Sequence, residues 1–276
     1  MAGDLRRYWA LLGVIGRYWA LMALACSATV FTTSEQMNLC IVIPVYGHFS
    51  QLDDLLGDLE SVHAQVLVVE ASSALGKGES DRSDSLNLRD QCRQKTLLRG
   101  GQWLSSSPSR GAQVALGCEH SSGSWLWILH ADTRVDQLVT EYLERVIAAE
   151  SIGWGRFDIQ FLEHHQRLEC LAFFMNWRSR LTRICTGDQG MFFHRDCLAH
   201  IGGFPIQPLM EDIEISSLLK PQGTFAFFAP KISLQTSGRR WLQNGWLRTI
   251  LSMWRFRIQY FLGKSPQVLF DQYYRK

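Results

Sequence analysis

The sequence predicts an α/β protein: a mostly parallel sheet with helices on both faces and a mixed second half. Three observations carry that expectation. Unbroken β-rich apolar runs such as "LCIVIPV" (39–45) and "AQVLVVEAS" (64–72) have the length of strands and the composition of strands buried on both faces. They alternate with amphipathic stretches at helical spacing, which is the order of βαβ units. A hydrophobic content of 46% over 276 residues, 12% aromatic, supplies a sizeable core and excludes a disordered chain.

The elements follow in order. After the strand at 39–45, Pro44, Tyr46 and a Gly47-His48 turn lead into "SQLDDLLGDLESV" (50–62), whose Leu52, Leu55, Leu56 and Leu59 share one helix face. The second strand, 64–72, ends on Glu70 and gives way to a Gly/Ser-rich stretch, 72–85, expected as a loop. A short third strand is expected near "KTLLR" (95–99), a helix over 109–120, a fourth strand over "SWLWILHA" (124–131) and a helix over 136–149. Beyond 150 the alternation loosens. "GRFDIQF" (155–161) reads as a strand, 168–184 as an amphipathic helix, "QGMFFHR" (189–195) as a strand and 210–220 as a helix. "TFAFFAP" and "KISLQTS" read as two strands and 241–262 as one long final helix. No Pro-rich linker interrupts 37–276, which is therefore one domain.

Charge is unevenly distributed. Residues 239–276 carry eight Lys/Arg against Asp271 alone, so +7 of charge sits in the tail and −5 elsewhere, within a net +2. An anionic neighbour is implied: a phosphate group, a membrane surface or nucleic acid. The seven cysteines form no C-x-x-C pair and no Cys/His set at zinc spacing, the pattern of reduced, buried thiols in a cytosolic protein. His164 and His165 beside Glu163 are read as loop residues, because adjacent histidines rarely ligate one ion.

Residues 1–36 stand apart. "RYWAL" occurs at 7–11 and again at 17–21 within an apolar stretch. Three readings are open: a start assigned too early, with translation beginning at Met37; a membrane anchor, which would place Arg17 in hydrocarbon; and a signal peptide. The segment is taken as an N-terminal extension outside the domain.

Polar groups gather at element ends. Glu70 ends the second strand, Arg110 opens a helix, His130-Ala131-Asp132 ends the fourth strand, and Glu211-Asp212 begins a later helix. In a parallel sheet, strand ends and the helix starts that follow them lie on the ligand-binding edge. The glycine-rich dinucleotide fingerprint is missing, and the turn at Pro44 and Tyr46 suits a mononucleotide sugar better than NAD.

"IVIPVY", "SRGAQVALG", "GSWLWILHADTRV", "GRFD", "MNWRSRLTRICTGDQGMFF", "IGGFPIQPLMEDIEIS", "RRW" and "YFLGKSP" occur in this order between about 39 and 274. Together they resemble a bacterial family 2 glycosyltransferase, and within it the radical-SAM/selenodomain-associated transferase 2 subfamily. The resemblance implies a GT-A fold, a nucleotide-binding half-sheet joined to an acceptor-binding half. It implies that Pro44, Tyr46, Glu70, Arg110, His130, Ala131, Asp132, Arg239 and Arg240 bind a nucleotide-diphosphate sugar, with Asp132 holding Mg²⁺ or Mn²⁺. His130 stands where the family's Asp-x-Asp motif has its first acid. Asp212 maps to the general base, Glu211 to a positioning acid, and Gly187, Asp188, Gln189 and Trp241 to the acceptor pocket. Gln235 lies too far from Arg239-Arg240-Trp241 for the Gln-x-x-Arg-Trp motif of processive relatives, which argues against polymer synthesis.

The expected activity is thus metal-dependent, inverting sugar transfer to an acceptor hydroxyl, in the cytoplasm where nucleotide sugars are made. No nucleic-acid partner is expected. The alternatives are a non-catalytic, membrane-associated binding protein with the same fold and a haloacid-dehalogenase phosphatase; the latter would lack its nucleophile, since His130 replaces the first acid. The final helix, with Trp246, Ile250, Trp254, Ile258 and Phe261 among arginines, is expected to cover the sheet, peripheral membrane contact being the other reading.

Overall fold

The computed structural model describes residues 38–47, 49–72, 82–149, 152–222 and 225–274, all within one compact unit, Met37–Lys276. The readings of residues 1–36, of His48, of 73–81 and of the last two basic residues lie outside the described residues.

The first half follows the apolar pattern. Strands β1 (Leu39–Val45), β2 (Gln65–Ala71), β3 (Gln102–Ser106) and β4 (Trp125–Ile128) pair in parallel in the order β3-β2-β1-β4. Helices α1 (Phe49–Asp58), α2 (Arg82–Leu98) and α3 (Arg110–His120) connect them. α3 starts where it does because the Ser109 hydroxyl accepts from the Ala112 amide at 3.4 Å, satisfying a donor that the first turn leaves open. From that helix the Gln113 amide reaches the carbonyls of Val45 (3.0 Å) and Val69 (2.6 Å), tying together the ends of β1 and β2.

The second half adds β5 (Thr133–Arg134), α4 (Gln137–Ala148), β6 (Gly153–Phe161), α5 (Gln166–Thr182), β7 (Phe192–His194), α6 (Arg195–Ile201), α7 (Glu211–Leu219) and β8 (Phe225–Thr236). The sheet becomes eight-stranded, β3-β2-β1-β4-β7-β6-β8-β5, with antiparallel pairs at β4·β7, β6·β7 and β5·β8. One face packs on α1 and α4 through residues such as Leu52, Leu55, Val139 and Leu143. The other packs on α3, α6 and α7 through Val114, Cys118, Leu198 and Ile215. Six cysteines among the described residues are free, and five of them are buried.

Several element readings need correction. "KTLLR" is the end of α2, and the third strand is "QWLSS": Leu97 and Leu98 are exposed, so their adjacency marks a helix end and not a buried strand. Part of the 72–85 loop, from Arg82, already belongs to α2. The fourth strand stops at Ile128, four residues short of Asp132. The predicted strand at 189–195 shrinks to β7, because Gly187–Gln189 form a 3₁₀ turn. The two late strands are one, β8. The final helix is broken at Gly245, whose φ of +80° suits glycine, into α8 (Arg239–Asn244) and α9 (Trp246–Phe261), and α10 (Pro266–Tyr274) follows.

The stripe on α9 does not cover the sheet either. Trp254, Ile258 and Phe261 are 54%, 53% and 66% exposed, together with Leu247 and Leu251. Both sheet faces are already occupied, so α9 docks instead through Phe256 on a small cluster of Ile184, Met210, Ile213 and Leu269. Among the described residues no helix is long and apolar enough to cross a membrane.

Candidate active site

Four segments bring side chains to one pocket. Arg110 opens α3, His130 follows β4, Gly187 begins the 3₁₀ turn, and Glu211 and Asp212 begin α7; all five line it, with Val114, Phe204 and Ile215 as apolar walls. The pocket lies at the carboxyl end of β4, the edge where α/β sheets bind ligands.

His130 is 9% exposed, and its Nδ1 lies 3.0 Å from Asp188 Oδ1. The carboxylate fixes the ring plane. Its other edge faces Gly187, where an added Cβ would stand 2.4 Å from Nε2, so the close approach requires glycine at 187. Gln189, fully buried, does not point to a ligand: its Oε1 accepts from the Thr186 amide at 3.0 Å and its amide reaches Asn176 Oδ1 at 3.4 Å. Of the four residues expected in the acceptor pocket, Gly187 therefore lines this one, Asp188 meets His130, Gln189 braces the turn, and Trp241 lies away on a later helix.

Glu211 is buried, and Arg110 Nη1 lies 3.5 Å from its Oε1. Burial pushes the Glu211 carboxyl above the usual range; Arg110 pulls it down and the neighbouring Asp212 charge pushes it up again. Asp212 accepts from two amides, Gly187 N at 3.2 Å on Oδ2 and Ile213 N at 2.8 Å on Oδ1. Those bonds aim the carboxylate and leave each oxygen a lone pair. Just before the acidic pair, Met210 holds φ +64°, a left-handed backbone that costs a non-glycine residue about 1–3 kcal/mol. The pair is presented at that cost.

Asp132 lies in the turn between β4 and β5, partly exposed, and among the described residues no hydrogen bond or ion pair reaches its carboxylate. Ala131 is buried in the core and serves as a spacer. β5 pairs with β8 as Thr133↔Thr236 and Arg134↔Gln235. Asp132 immediately precedes Thr133, whose partner Thr236 is three residues from Arg239. Arg239 and Trp241 lie on α8, Arg239 exposed; Arg240 lies on the same helix. The turn into α8 is held by Glu163, which accepts from Gly238 N at 2.6 Å and Ser237 Oγ at 3.2 Å, while His165 Nδ1 caps α5 by accepting from Arg167 N.

Glu70 is placed differently. Arg89 grips its carboxylate with two bonds of 2.7 Å, and Trp103 Nε1 donates to it at 3.0 Å. Burial alone would raise the Glu70 carboxyl; the Arg89 and Trp103 bonds outweigh it and hold it below the usual range. Beside it Pro44 is half-buried in β1 and Tyr46 stands 56% exposed at the strand end, an open aromatic wall.

Residues outside the earlier expectation also reach this region. Arg178 on α5 and Arg257 on α9 both feel the Asp212 charge, and Asn176 ties α5 to Ile159 on β6 through bonds of 2.9 and 3.0 Å. The spacing Leu168, Ala172, Asn176, Ser179 on the inner face of α5 is the signal that could have flagged Asn176.

A divalent cation fits the donor set in one respect. Asp132 offers a hard oxygen donor in the turn before β5, and one carboxylate suffices where substrate phosphates fill the remaining positions. Among the described residues no group of three His, Cys, Asp or Glu could hold a metal, so any ion here would depend on the substrate for most of its ligands.

No protein-family model matches the chain, and no curated protein matches it either. Solved structures do. A mannosyltransferase from Pyrobaculum calidifontis, PcManGT, in complex with GDP-Man and Mn²⁺, superposes with a TM-score of 0.56 at 15% identity, over 95% of this chain and 72% of that one. S. aureus TarS 1-349 in complex with UDP-GlcNAc gives 0.52 at 12% identity, over 72% of this chain and 58% of that one. A further S. aureus TarS structure gives 0.53 at 12%, with this chain spanning 36% of its length. At these identities the likeness defines the fold: a mixed α/β architecture with a mostly parallel, helix-flanked sheet, of the GT-A glycosyltransferase type.

Proposed function

We propose that the chain transfers a sugar from a nucleotide-diphosphate donor to an acceptor hydroxyl with inversion, as a family 2-like glycosyltransferase using Mg²⁺ or Mn²⁺. The observation that carries this reading is the convergence of Arg110, His130, Gly187, Glu211 and Asp212 from four separate segments on one pocket at the sheet edge. The solved glycosyltransferases that share the fold bind GDP-Man with Mn²⁺ in one case and UDP-GlcNAc in another, which supports a nucleotide-sugar donor.

The residues divide the work as follows. Asp212, aimed by two backbone amides, takes the proton of the acceptor hydroxyl as its oxygen forms a bond to the anomeric carbon and the bond to the diphosphate breaks. Glu211 and Arg110 form a charge pair on the pocket wall that sets the position of Asp212. His130, held by Asp188, shapes the floor under the sugar. Asp132 would hold the cation, which when bound supplies Lewis-acid stabilisation of the departing diphosphate. Arg239 and Arg240 lie on the helix that follows β8, the strand paired with β5 next to Asp132, and carry charge suited to the phosphates. Tyr46 and Pro44 form a wall for the nucleoside, and Glu70 sets the end of β2 through Arg89. Trp241 begins the acceptor side. Residues 37–276 form the catalytic domain, with 1–36 as an extension.

The same reading places the enzyme on the cytoplasmic face of a membrane. The exposed Leu247, Leu251, Trp254, Ile258 and Phe261 recur at helical spacing on α9, with exposed Arg248 and Arg255 beside them. That is the make-up of a helix lying in an anionic lipid surface.

Thermal stabilisation of the full chain by UDP, GDP, dTDP or CDP, with and without Mn²⁺, tests the assignments. A ligand at a hundred times its Kd adds about 2.7 kcal/mol, readily read as a shift in Tm. Asp132→Asn is expected to lose the manganese-dependent shift. Asp212→Asn is expected to keep it while turnover falls about 10²–10⁴-fold. Unchanged transfer in both variants would refute the roles.

A further inference from the structure

Two arginines beside Asp212 have no use in the scheme above. Arg178 donates from Nη1 to the Ile184 carbonyl at 3.2 Å. Ile184 packs with Ile213 and Phe256 in one cluster, and these are the chain neighbours of Asp212 and Arg257. The cluster joins the segments that carry Arg178, Arg257 and Asp212, and the three charges act on one another.

Among the described residues neither guanidinium makes a hydrogen bond or ion pair with an acid; the Asp212 charge acts on both from a distance. Arg178 Nη2 and Arg257 Nε are buried with no hydrogen-bond partner, and among the described residues no acceptor reaches Arg257 at all. Glu214 accepts from the Tyr260 hydroxyl and bonds to neither arginine. Both arginines keep part of their surface exposed. Burial lowers both groups, Arg178 to about 10 with the like charge of Arg257 adding to it, and Asp212 is the charge that opposes. Two half-buried cations that share one carboxylate leave a positive charge uncompensated, and neutral side chains of similar volume would serve packing better. The arrangement makes physical sense when an anion completes it.

We propose that Arg178 and Arg257 form a binding site for a phosphate-type oxyanion carried by the acceptor, set next to Asp212 and separate from the donor diphosphate. The inference rests on the reading of Asp212 as the base: an acceptor anchored here by its charge presents a hydroxyl to that carboxylate. Guanidinium forks match phosphate oxygens in pairs, and two of them give a preference for a doubly charged group over a chloride. The donor phosphates are assigned to Asp132, Arg239 and Arg240. Free phosphoryl groups and lipid phosphates share this chemistry. The exposed Trp177 and Leu181 on α5 and Leu251 and Trp254 on α9 offer an apolar track for the lipid form.

The test uses Tm of the full chain, wild type and Arg257→Met, with millimolar inorganic phosphate and, separately, with the nucleotide diphosphates and Mn²⁺. Phosphate is expected to raise the wild-type Tm by about 3 °C and to leave Arg257→Met unmoved. The ligand-free variant is expected to melt no lower than wild type, as a guanidinium kept for structure would not allow. Its nucleotide shift is expected to be intact. A phosphate shift of equal size in the variant, or none in wild type, overturns the site. Loss of the nucleotide shift in Arg257→Met overturns its assignment to the acceptor and gives the arginine to the donor. A nucleotide shift that persists while phosphate has no effect leaves the transferase reading standing and removes this inference alone. Where phosphate binds, tighter retention of decyl phosphate assigns a lipid source and equal retention a soluble one.

Discussion

On the face of the sheet covered by α1 and α2, acidic side chains are matched bond for bond. Glu70 at the end of β2 meets both arms of Arg89 and the indole of Trp103, and Asp58 at the end of α1 takes two bonds from Arg134, at 2.6 and 2.7 Å, and one from the Val135 amide. Around α7 the same residue types are left short. Glu211 is buried with one arginine at 3.5 Å, and Arg178 and Arg257 have buried nitrogens facing no acceptor. The difference separates scaffold from site. Charge that is fully paired holds strand ends in place, whereas charge folded in without its complement is stored for a ligand, and stability is given up to keep it.

The largest expected effect tests the paired side. Arg89→Leu strands the Glu70 carboxylate in a 5% exposed position, and breaking a buried pair from one side costs about 3–5 kcal/mol. Because Arg89 is partly exposed, about 3 kcal/mol is expected, read as a lowered urea midpoint at unchanged m. The pH dependence follows from the sign. The Glu70 carboxyl is held below its ordinary 4.5, so the pair stabilises the fold above that pH and the benefit is lost as pH falls through the lowered value. The deficit of Arg89→Leu should therefore be full at neutral pH and shrink in acid. A loss below about 1 kcal/mol at pH 7 would place Glu70 with the under-paired charges and reopen it to direct contact with a ligand.

The two regions also differ in how far the sequence discloses them. "LCIVIPV", "AQVLVVEAS" and the helix from Arg110 are legible because each carries one dominant signal, a buried strand run or an N-cap followed by an apolar face. Glu211 and Asp212 are legible as pocket residues because a helix start presents them, whereas Asp132 lies in a turn beyond the strand end and does not line that pocket. The Glu70 clamp is not: Arg89 lies on a helix with few apolar residues, and the pairing exists only once β2, β3 and α2 are docked. Gln189 and Asp188 could be placed in a turn by their neighbours but not assigned to bracing or orienting, since that depends on Asn176 and His130 arriving from elsewhere in the chain. The α9 stripe misleads for a related reason. Periodicity shows that a helix has an apolar face, and only the assembled sheet shows that no face is left for it to cover.

That stripe supplies the second prediction, of intermediate size. Leu251→Glu combined with Ile258→Glu changes two side chains that are 68% and 53% exposed. Exposed substitutions usually stay within about 0.5 kcal/mol each, so the thermal midpoint should barely move. Binding to phosphatidylglycerol vesicles, followed by co-sedimentation, should fall at least about tenfold, equivalent to 1.4 kcal/mol. Vesicle binding that survives the double change would remove α9 as the contact and leave its apolar face unexplained. A variant that unfolds would mean that the face is packed, making α9 resemble the paired region more than an exposed one.

The smallest effect concerns Glu211 and is the sharpest test of the comparison, because its sign is opposite to that of Glu70. Burial raises the Glu211 carboxyl above its ordinary 4.5, with Arg110 opposing and Asp212 reinforcing. An acid whose folded value is raised binds its proton more firmly in the native state. Its contribution to stability is greatest in acid and is lost as pH rises from about 4.5 through the raised value. Glu211→Gln should remove that decline, flattening the stability profile above 4.5 with little change below it, where both side chains are neutral. Urea midpoints across the range read this as a slope and need no activity assay. If the slope is unchanged, Arg110 is compensating the buried charge fully. Glu211 and Arg110 would then form a second scaffold pair like Glu70 and Arg89, and the under-paired charge of the site would reduce to the two arginines beside Asp212.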